Sequence, residues 1–328
     1  MEILNADQAA IEKAARVLRE GGLVAMPTET VYGLAANAQN DRSVARIFEA
    51  KGRPRFNPLI VHIPDVAAAE QLAVFNDTAR QLAETFWPGP LTLVLPRKAD
   101  SGLSELVTAG LSTVALRVPG HPTTQALLRA AGVPVAAPSA NRSGHISPTS
   151  SEHVAADLDG RIDMILDGGP CNVGVESTVV TFADDEKSTP VLLRPGGITP
   201  HDIQTATGLQ LRHPENPTND TAPRSPGQLT SHYAPTARLR LNVSQPEPGE
   251  ALLAFGSELP PHCGPMVNLS ATGDLQEAAA NLFAALRDLD QHGCNSIAAM
   301  KIPKIGLGIA INDRLLRAAA PKVPDGGK

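Results

Sequence analysis

Apolar residues recur in short runs along the N-terminal part of the chain, and polar stretches separate the runs. Within residues 6–20, Ile11, Ala14 and Leu18 share one helical face. Gly21 follows directly and is a common helix terminator, so we predict a helix here. Short uninterrupted apolar runs predict buried strands. On these grounds, further helices are predicted at residues 43–50, 78–86 and 123–131, and strands at residues 23–26, 59–63, 91–95, 113–118, 133–137, 164–166, 177–181 and 191–194.

The order of these elements is typical of an α/β protein, because helices and strands alternate along the chain. Strands outnumber helices, which predicts a twisted mixed sheet rather than a regular doubly wound parallel one. Aromatic residues make up only 3% of the chain. The core therefore has to be built from Ala, Val, Leu and Ile.

A proline-rich polar stretch, RHPENPTNDTAPRSPGQLTSHYAP, interrupts the apolar pattern. It has no apolar periodicity, so we predict an interdomain linker at residues 212–236 and a catalytic domain at residues 1–211. A second, smaller Rossmann-like α/β domain is predicted at residues 237–328. Its predicted strands are residues 238–242, 251–255 and 296–300, and its predicted helices are residues 274–290 and 312–320.

Composition narrows the function classes. The formal net charge of -6 argues against a dedicated nucleic-acid binder, whose affinity comes mostly from neutralising phosphates. A local basic site remains open, because five basic residues face two acidic ones between residues 41 and 55. The three cysteines form no CxxC pair, which favours a reducing compartment. The N-terminus lacks a signal-peptide pattern and no apolar run is long enough to span a bilayer, so we expect a soluble cytoplasmic protein without a membrane partner.

The stretch KGRPRFNPL at residues 51–59 places three cations on alternate positions. Its prolines favour an extended segment, which would aim Lys51, Arg53 and Arg55 to one side. An ammonium and two guanidiniums on one side would bind an anion, above all a phosphate chain. A solvated basic loop explains the run equally well.

Other polar segments lie beside apolar runs, although the GxxxxGKS/T, GxGxxG, HExxH and GxSxG motifs are absent from the sequence. Each segment alone is also explained by a turn, a helix cap or a surface arginine. Together they carry Lys, Arg, Ser, Thr and Asn with hardly an acid, which predicts an anion-binding basin. By itself, His62 within LIVHI is expected to be a core histidine. The segments are PTETVYG at residues 27–33, PSANRSGHISPT at residues 138–149, Arg117 after TVAL, GVESTVV around Ser177 and LLRPGGIT around Arg194.

Seven ordered motifs resemble those of the YrdC/TsaC threonylcarbamoyl-AMP synthases: PTETVYGL, KGRPRFNPL, WPGPLTLVL, ALRVPGHP, APSANRSGHISPT, GVESTVV and LLRPGGIT. The segments SPGQLTSHYAP and INDRLLRAAAP resemble the long, two-domain branch of that family. The resemblance covers nearly the whole chain and implies a YrdC-like fold for the mixed sheet. It implies a nucleotidyltransferase that condenses L-threonine, bicarbonate or CO2, and ATP into L-threonylcarbamoyladenylate and pyrophosphate. This product serves the N6-threonylcarbamoyladenosine modification of tRNA.

The resemblance also implies roles for individual residues. ATP would be a substrate that carries its own Mg²⁺, with no metal ligand in the protein. The product would pass to a separate tRNA threonylcarbamoyl transferase complex, with an additional weak RNA contact. The implied catalytic residues are Lys51, Arg53, Ser139 and Asn141. The implied ATP contacts are Arg53, Asn57, Thr113, Ser139, Ser147, Arg194, His232 and Tyr233, and the implied threonine contacts are Thr30, Tyr32, His62, Arg117, Ala137 and Ser177.

Two other functions compete with this one. The hydrogenase-maturation carbamoyltransferase contains a similar domain, but it needs zinc-finger cysteines that this chain does not have. A double-stranded RNA-binding surface without catalysis is the alternative from another class. The acidic net charge and the scarcity of aromatic residues for stacking argue against it.

Overall fold

The structure is a computed structural model, and it describes residues 1–54, 56–185, 188–213 and 232–321. The strands within these residues are β1 (Glu2–Asn5), β2 (Val24–Met26), β3 (Gly33–Asn37), β4 (Ile60–His62), β5 (Leu91–Pro96), β6 (Thr113–Arg117), β7 (Val135–Ala136), β8 (Met164–Asp167), β9 (Thr178–Phe182), β10 (Pro190–Arg194), β11 (Arg238–Val243), β12 (Ala251–Ala254), β13 (Met266–Asn268) and β14 (Ser296–Met300). The helices are α1 (Gln8–Arg19), α2 (Asp41–Lys51), α3 (Val66–Leu72), α4 (Asp77–Phe86), α5 (Glu105–Thr108), α6 (Pro122–Ala131), α7 (Ser151–Leu158), α8 (Pro200–Thr207), α9 (Leu275–Gln291) and α10 (Gly308–Ala319).

Strands β1 to β10 form one sheet in the order β1-β8-β2-β3-β7-β4-β6-β5-β9-β10. The pairs β1/β8, β2/β8, β4/β6 and β5/β9 are parallel. The pairs β2/β3, β3/β7, β4/β7, β5/β6 and β9/β10 are antiparallel. The predicted twisted mixed sheet is therefore confirmed.

Helices cover both faces of this sheet. Successive side chains along a strand point to opposite faces, so alternate residues of one strand pack against different helices. Val24 and Met26 of β2 belong to the apolar cluster that contains residues of α1 and α6. Leu23 and Ala25 belong to the cluster that contains residues of α2 and α4. The functional groups described below therefore rest on a sheet that is fixed from both sides.

Several short elements are not predicted by the apolar pattern, among them β1, β3, β13, α3 and α8. The strand Gly33–Asn37 shows why. Its sequence GLAAN consists mostly of small residues with weak strand preference. It forms a strand because β2 and β7 pair with its two sides. Tertiary pairing here overrides the local preference.

The run at residues 51–59 differs from the extended segment predicted for it. Lys51 is the last residue of α2, because the buried positions Val44, Ile47 and Phe48 continue their helical spacing to Lys51. Gly52 then ends the helix in the left-handed conformation, with φ of 61°. Lys51 and Arg53 consequently leave the chain from a helix end and a turn, and Arg55 lies outside the described residues.

Strands β11 to β14 form a separate parallel sheet in the order β11-β14-β12-β13, as expected for a smaller α/β domain. An apolar cluster joins it to the first domain. Val31 and Ile146 of the first domain share this cluster with Tyr233 and with Phe283 of α9. The boundaries predicted above stay predictions, and residues 214–231 of the linker and 322–328 of the tail lie outside the described residues. None of the helices that the structure describes is long and apolar enough to cross a membrane.

Candidate active site

Strand ends and loops at β2, β4, β6, β7, β9 and β10 meet around one cavity. Residues far apart in sequence line it, including two from the C-terminal end of the predicted linker. The cavity thus brings together most of the polar segments that sequence analysis singled out. Of the predicted site residues, its lining contains Thr30, Arg53, His62, Arg117, Ala137, Ser139, Ser177, Arg194, His232 and Tyr233.

Lys51 lies under the loop that carries Ser139 and Asn141. Its Nζ donates to the carbonyl oxygen of Ser139 at 2.6 Å and to that of Asn141 at 2.5 Å. Burial lowers the pKa of Lys51 well below its ordinary value, and the nearby charge of Arg53 lowers it further. The Asn141 amide donates to the carbonyl oxygens of Arg142 and His145, both at 2.8 Å. Lys51 and Asn141 therefore fix the shape of a loop whose Ser139 lines the cavity.

Arg53 and Asn57 are both buried in the turn that follows α2. Arg53 donates from Nη2 to the carbonyl oxygen of Pro58 at 3.0 Å, and burial lowers its pKa to about 10. Within the part of the chain that the structure describes, neither polar atom of the Asn57 side-chain amide has a hydrogen-bond partner. A buried amide without partners is costly, so Asn57 is a candidate for a ligand contact.

Arg117 ends β6 beside the cavity. Its Nη2 donates to Oε1 of Glu29 at 2.6 Å, and its Nη1 donates to Oγ1 of Thr30 at 3.0 Å. Burial alone would raise the pKa of Glu29, but the charge and hydrogen bond of Arg117 outweigh burial and lower it. The Arg117 guanidinium is thus already paired with Glu29. A substrate carboxylate would have to share this guanidinium with Glu29 or displace Glu29 from it.

His62 lies directly beside Arg117, because the two residues are register partners on the parallel strands β4 and β6. Burial lowers the pKa of His62 to about 3, and the positive charge of Arg117 adds to the effect. Its Nδ1 has no hydrogen-bond partner among the described residues. At neutral pH the cavity therefore presents a neutral imidazole with one ring nitrogen available.

Ser177 and Arg194 meet at another part of the cavity lining. Nη2 of Arg194 donates to the carbonyl oxygen of Ser177 at 2.9 Å and to its Oγ at 3.2 Å. The Ser177 hydroxyl also lies 2.7 Å from Oγ1 of Thr92 in β5. Both residues are buried, so their geometry is fixed before any ligand arrives.

Glu176 is a lining residue that sequence analysis missed. Two carboxylates stand among the basic and hydroxyl groups of the predicted basin, because Glu176 lines the cavity and Glu29 pairs with Arg117 beside it. Oε1 of Glu176 accepts from the Ser147 hydroxyl at 2.7 Å, and Oε2 accepts from Nε of Arg314 at 2.7 Å. The sequence contains the signal in GVESTVV, but the compensating cation is 138 positions away in a different domain.

His232 and Tyr233 reach the cavity from the C-terminal side of the predicted linker. Their rings make an edge contact with centroids 4.0 Å apart, and Tyr233 adopts a positive φ of 63°. The backbone N–H of Ala234 donates to the carbonyl oxygen of Gly144 at 2.8 Å, and that of His232 donates to the carbonyl oxygen of Arg317 at 3.3 Å. The pair is thus tied to both domains. Residues 1–54, 56–185, 188–213 and 232–321 provide no hydrogen-bond partner for the Tyr233 hydroxyl or for His232 Nδ1.

Six predicted residues are not part of the cavity lining. Lys51 and Ser147 donate hydrogen bonds to the lining residues Ser139 and Glu176, respectively, and Asn141 accepts from Lys51. Asn57 is buried, and its carbonyl oxygen accepts from Nε of Arg53 at 3.3 Å. The Tyr32 hydroxyl donates to the carbonyl oxygen of Gly169 at 2.7 Å, and burial raises its pKa. Thr113 begins β6, whereas Arg117 ends it, which separates the two by about 13 Å of strand. Their substrate contacts stay predictions.

The described residues contain no group of three or more His, Cys, Asp and Glu side chains placed to hold a metal ion. The two carboxylates at the cavity, Glu29 and Glu176, are each paired with an arginine. This donor set suits a cation that is bound mainly by its own phosphate ligands.

Two sequence-family models and several known proteins resemble the chain over nearly its full length. The Sua5/YciO/YrdC model, described as telomere recombination, matches residues 16–196, and the model of the threonylcarbamoyl-AMP synthase C-terminal domain matches residues 198–320. The threonylcarbamoyl-AMP synthase of Bacillus subtilis is 46% identical over 335 residues, covering 98% of this chain and 96% of the relative. That of Pyrococcus abyssi is 44% identical over 329 residues, covering 95% of each chain. The crystal structure of P. abyssi Sua5 complexed with L-threonine has a TM-score of 0.88 and 39% identity to this chain, covering 97% of it and 98% of the other.

Proposed function

The chain belongs to the threonylcarbamoyl-AMP synthase family of nucleotidyltransferases, and we propose that it condenses L-threonine, bicarbonate or CO2, and ATP into L-threonylcarbamoyladenylate and pyrophosphate. The product supplies the N6-threonylcarbamoyladenosine modification of tRNA. The observation that carries the proposal is the division of the cavity between two sets of groups. Arg117, Thr30 and His62 form one set, and Arg53 and Arg194 belong to the other.

The first set suits threonine. Arg117 offers a guanidinium to the carboxylate, and bidentate pairing of these groups is strong and directional. The Thr30 hydroxyl and the neutral imidazole of His62 offer hydrogen bonds to the substrate hydroxyl. Ser177 adds another hydroxyl, and Ala137 adds only a methyl group. The P. abyssi relative was solved with L-threonine, which supports this substrate.

The second set suits the triphosphate. We propose that the neutral threonine amine adds to CO2 and releases a proton to solvent, which gives a carbamate; from bicarbonate the same carbamate forms with loss of water. A carbamate oxygen then attacks the α-phosphorus of ATP and breaks its bond to the bridging oxygen, so that pyrophosphate leaves with the electron pair. Negative charge grows on the phosphoryl oxygens and on the leaving group, where Lys51, Arg53 and Arg194 would stabilise it. Ser139 and Asn141 would fix the loop that orients the reacting groups.

Proton transfer has a small part in this mechanism. Burial lowers the pKa of both His62 and His232 to about 3, which makes them weak bases at neutral pH. Catalysis is therefore assigned mainly to orientation and to preorganised positive charge. Magnesium would arrive bound to ATP. Glu29 and Glu176 are each paired with an arginine, so neither carboxylate is set up as a metal ligand.

The adenylate product is a mixed anhydride and hydrolyses readily, so we propose that it passes directly to a separate tRNA threonylcarbamoyl transferase complex. A weak RNA contact at this chain accompanies the transfer. We propose the cytoplasm as the location of the reaction, because Cys171, Cys263 and Cys294 are free thiols that suit a reducing compartment.

Pyrophosphate release from ATP tests the proposal. The assay contains the full chain and ATP, with threonine and bicarbonate each present or omitted, and serine replaces threonine in a control. Release should require both co-substrates and should favour threonine over serine. Threonine-independent release, or no release by folded protein, would overturn the proposal. RNA binding that falls steeply with salt and ignores threonine would instead support the RNA-binding alternative.

A further inference from the structure

Arg314 of α10 is a completely buried cation that the second domain places against the cavity of the first. Its side chain has 0% exposure. Nε donates to Oε2 of Glu176 at 2.7 Å, Nη1 to Oδ2 of Asp313 at 2.5 Å, and Nη2 to the carbonyl oxygen of Pro195 at 2.9 Å. Its guanidinium carbon lies 5.4 Å from the centroid of the Tyr233 ring. A buried guanidinium is tolerated only when it is paired in this way.

Glu176 pairs with Arg314 at a place where an unpaired carboxylate would hinder the binding of an anionic ligand. It lines the cavity, and Arg53 and Arg194 line the same cavity as the proposed triphosphate ligands. Burial alone would raise the pKa of Glu176, but the charges of Arg314 and Arg194 outweigh it and lower the pKa to about 2. Glu176 therefore stays ionised, and an unpaired negative charge here would repel a polyphosphate through a medium of low dielectric constant.

We propose that Arg314 is a positioning residue for ATP, which neutralises and orients Glu176 so that this carboxylate holds Ser147 without repelling the triphosphate. This inference rests on the function proposed above and assigns part of the ATP site to the C-terminal domain. Arg314 itself reaches Glu176, Asp313 and Pro195, so it acts through Glu176. The second domain thereby sets the charge of a site whose remaining ligands come from elsewhere.

The other charged and titratable groups that face Glu176 determine how the charge of Glu176 responds to pH. Arg194 approaches from the end of β10, and Asp313 lies behind Arg314 on α10. His232 and Tyr233 approach from the C-terminal end of the predicted linker. Burial keeps both of these neutral, since it lowers the pKa of His232 to about 3 and raises that of Tyr233. Without Arg314, the pKa of Glu176 should therefore rise, and its charge should become dependent on pH.

The substitution Arg314→Gln tests this role. It should raise the KM for ATP by about tenfold or more at neutral pH, and it should change the KM for threonine much less. Relative to wild type at the same pH, the ATP defect should shrink as the pH is lowered, because protonation removes the negative charge of Glu176. Adding Glu176→Gln to Arg314→Gln should restore the KM for ATP to within about threefold of wild type, since the repelling charge is then absent.

A matched control separates charge from domain docking. The pair Arg287–Asp157 also joins the two domains at 2.7 Å, with side chains that are 11% and 12% exposed. The substitution Asp157→Asn removes the charge of this pair, and Arg287 keeps the carbonyl oxygens of Ile146 and Ser147 as acceptors. It should leave the KM for ATP within about twofold of wild type.

Three results would overturn the proposal. One is an ATP defect in Arg314→Gln that is independent of pH, and another is a defect that Glu176→Gln fails to relieve. The third is an equal loss in both Arg314→Gln and Asp157→Asn. If Arg314→Gln does not fold, Glu176→Gln alone decides: the KM for ATP should stay equal or fall, because Arg314 keeps Asp313 as a partner, and a raised KM contradicts the proposal.

The test also separates this inference from the proposed function. Wild-type protein that releases no threonine-dependent pyrophosphate contradicts the function. Calorimetric titration with ATP and Mg²⁺ then still compares the variants, because the charge argument applies to ATP binding as well as to turnover. Equal ATP affinity of wild type, Arg314→Gln and the double variant would contradict the inference alone.

Discussion

Buried polar atoms without hydrogen-bond partners mark the candidate site at the scale of single residues. Asn57, His62, His232 and Tyr233 each have at least one such atom. An unsatisfied buried polar group costs about 1–3 kcal/mol, so a folded chain retains few of them without a reason. Hydrogen bonds to substrates are the reason that we propose here. The same residues were selected from sequence motifs for their implied contacts, and those contacts stay predictions.

Replacement of Lys51 tests the charge assigned to the reacting phosphate. Lys51→Ala should lower kcat by about 100-fold or more, because it removes a preorganised cation. Lys98→Ala is a matched control, since Nζ of Lys98 also donates to a carbonyl oxygen, that of Glu70 at 2.6 Å, outside the cavity lining. Steady-state pyrophosphate release and circular dichroism provide the measurements. Near-normal turnover in folded Lys51→Ala would contradict the assigned role.

Replacement of Arg117 tests the proposed threonine contact. Arg117→Gln should raise the KM for threonine by about tenfold to 100-fold and affect the KM for ATP less, because a charged hydrogen bond to the carboxylate is lost. Glu29→Gln is the opposing variant. It removes the competing carboxylate at 2.6 Å and should leave the KM for threonine equal or lower. A larger effect of Arg117→Gln on ATP than on threonine would contradict the assignment.

At the scale of elements, helix α2 carries Lys51 into the site. Asn40 caps its start by accepting from the N–H groups of Arg42 and Ser43. Lys51 stands in the last turn, where the negative end of the helix dipole favours a cation and partly offsets the cost of burial. The abrupt end at Gly52 then lets Arg53 leave in a different direction. Two cations of one sequence motif are thus separated by a helix terminus.

A substitution at this terminus should affect both stability and rate. Gly52→Ala should lower the free energy of unfolding by about 1 kcal/mol, because φ is 61° and alanine disfavours the left-handed conformation. It should also lower kcat severalfold by shifting Arg53 relative to Lys51. Gly132→Ala is the matched control, since Gly132 ends α6 with φ of 65° and, like Gly52, has no atom within 4 Å of an added Cβ.

Urea unfolding and pyrophosphate release distinguish the two effects. Both glycine variants should lose similar stability, and Gly52→Ala alone should lose activity. Equal activities would show that the position of the helix end does not matter for turnover.

At the scale of the whole molecule, sequence reasoning predicted the parts but not their junction. The mixed sheet and the smaller α/β domain follow from alternating apolar segments, and motif residues such as His62 and Arg117 indeed meet across adjacent strands. Local patterns could not predict β3, which depends on pairing from both sides. They could not predict the Glu176–Arg314 pair either. Its two charges look like ordinary polar residues until the domains pack together.

That pair also has a consequence for synthesis. A ribosome makes the chain from its N-terminus, and Glu176 and Arg314 are 138 positions apart. The ion pair therefore cannot form until α10 has left the exit tunnel, even if the first domain has already folded by then. A nascent or C-terminally truncated chain carries Glu176 without its partner. Completion of the cavity is consequently tied to the synthesis of α10.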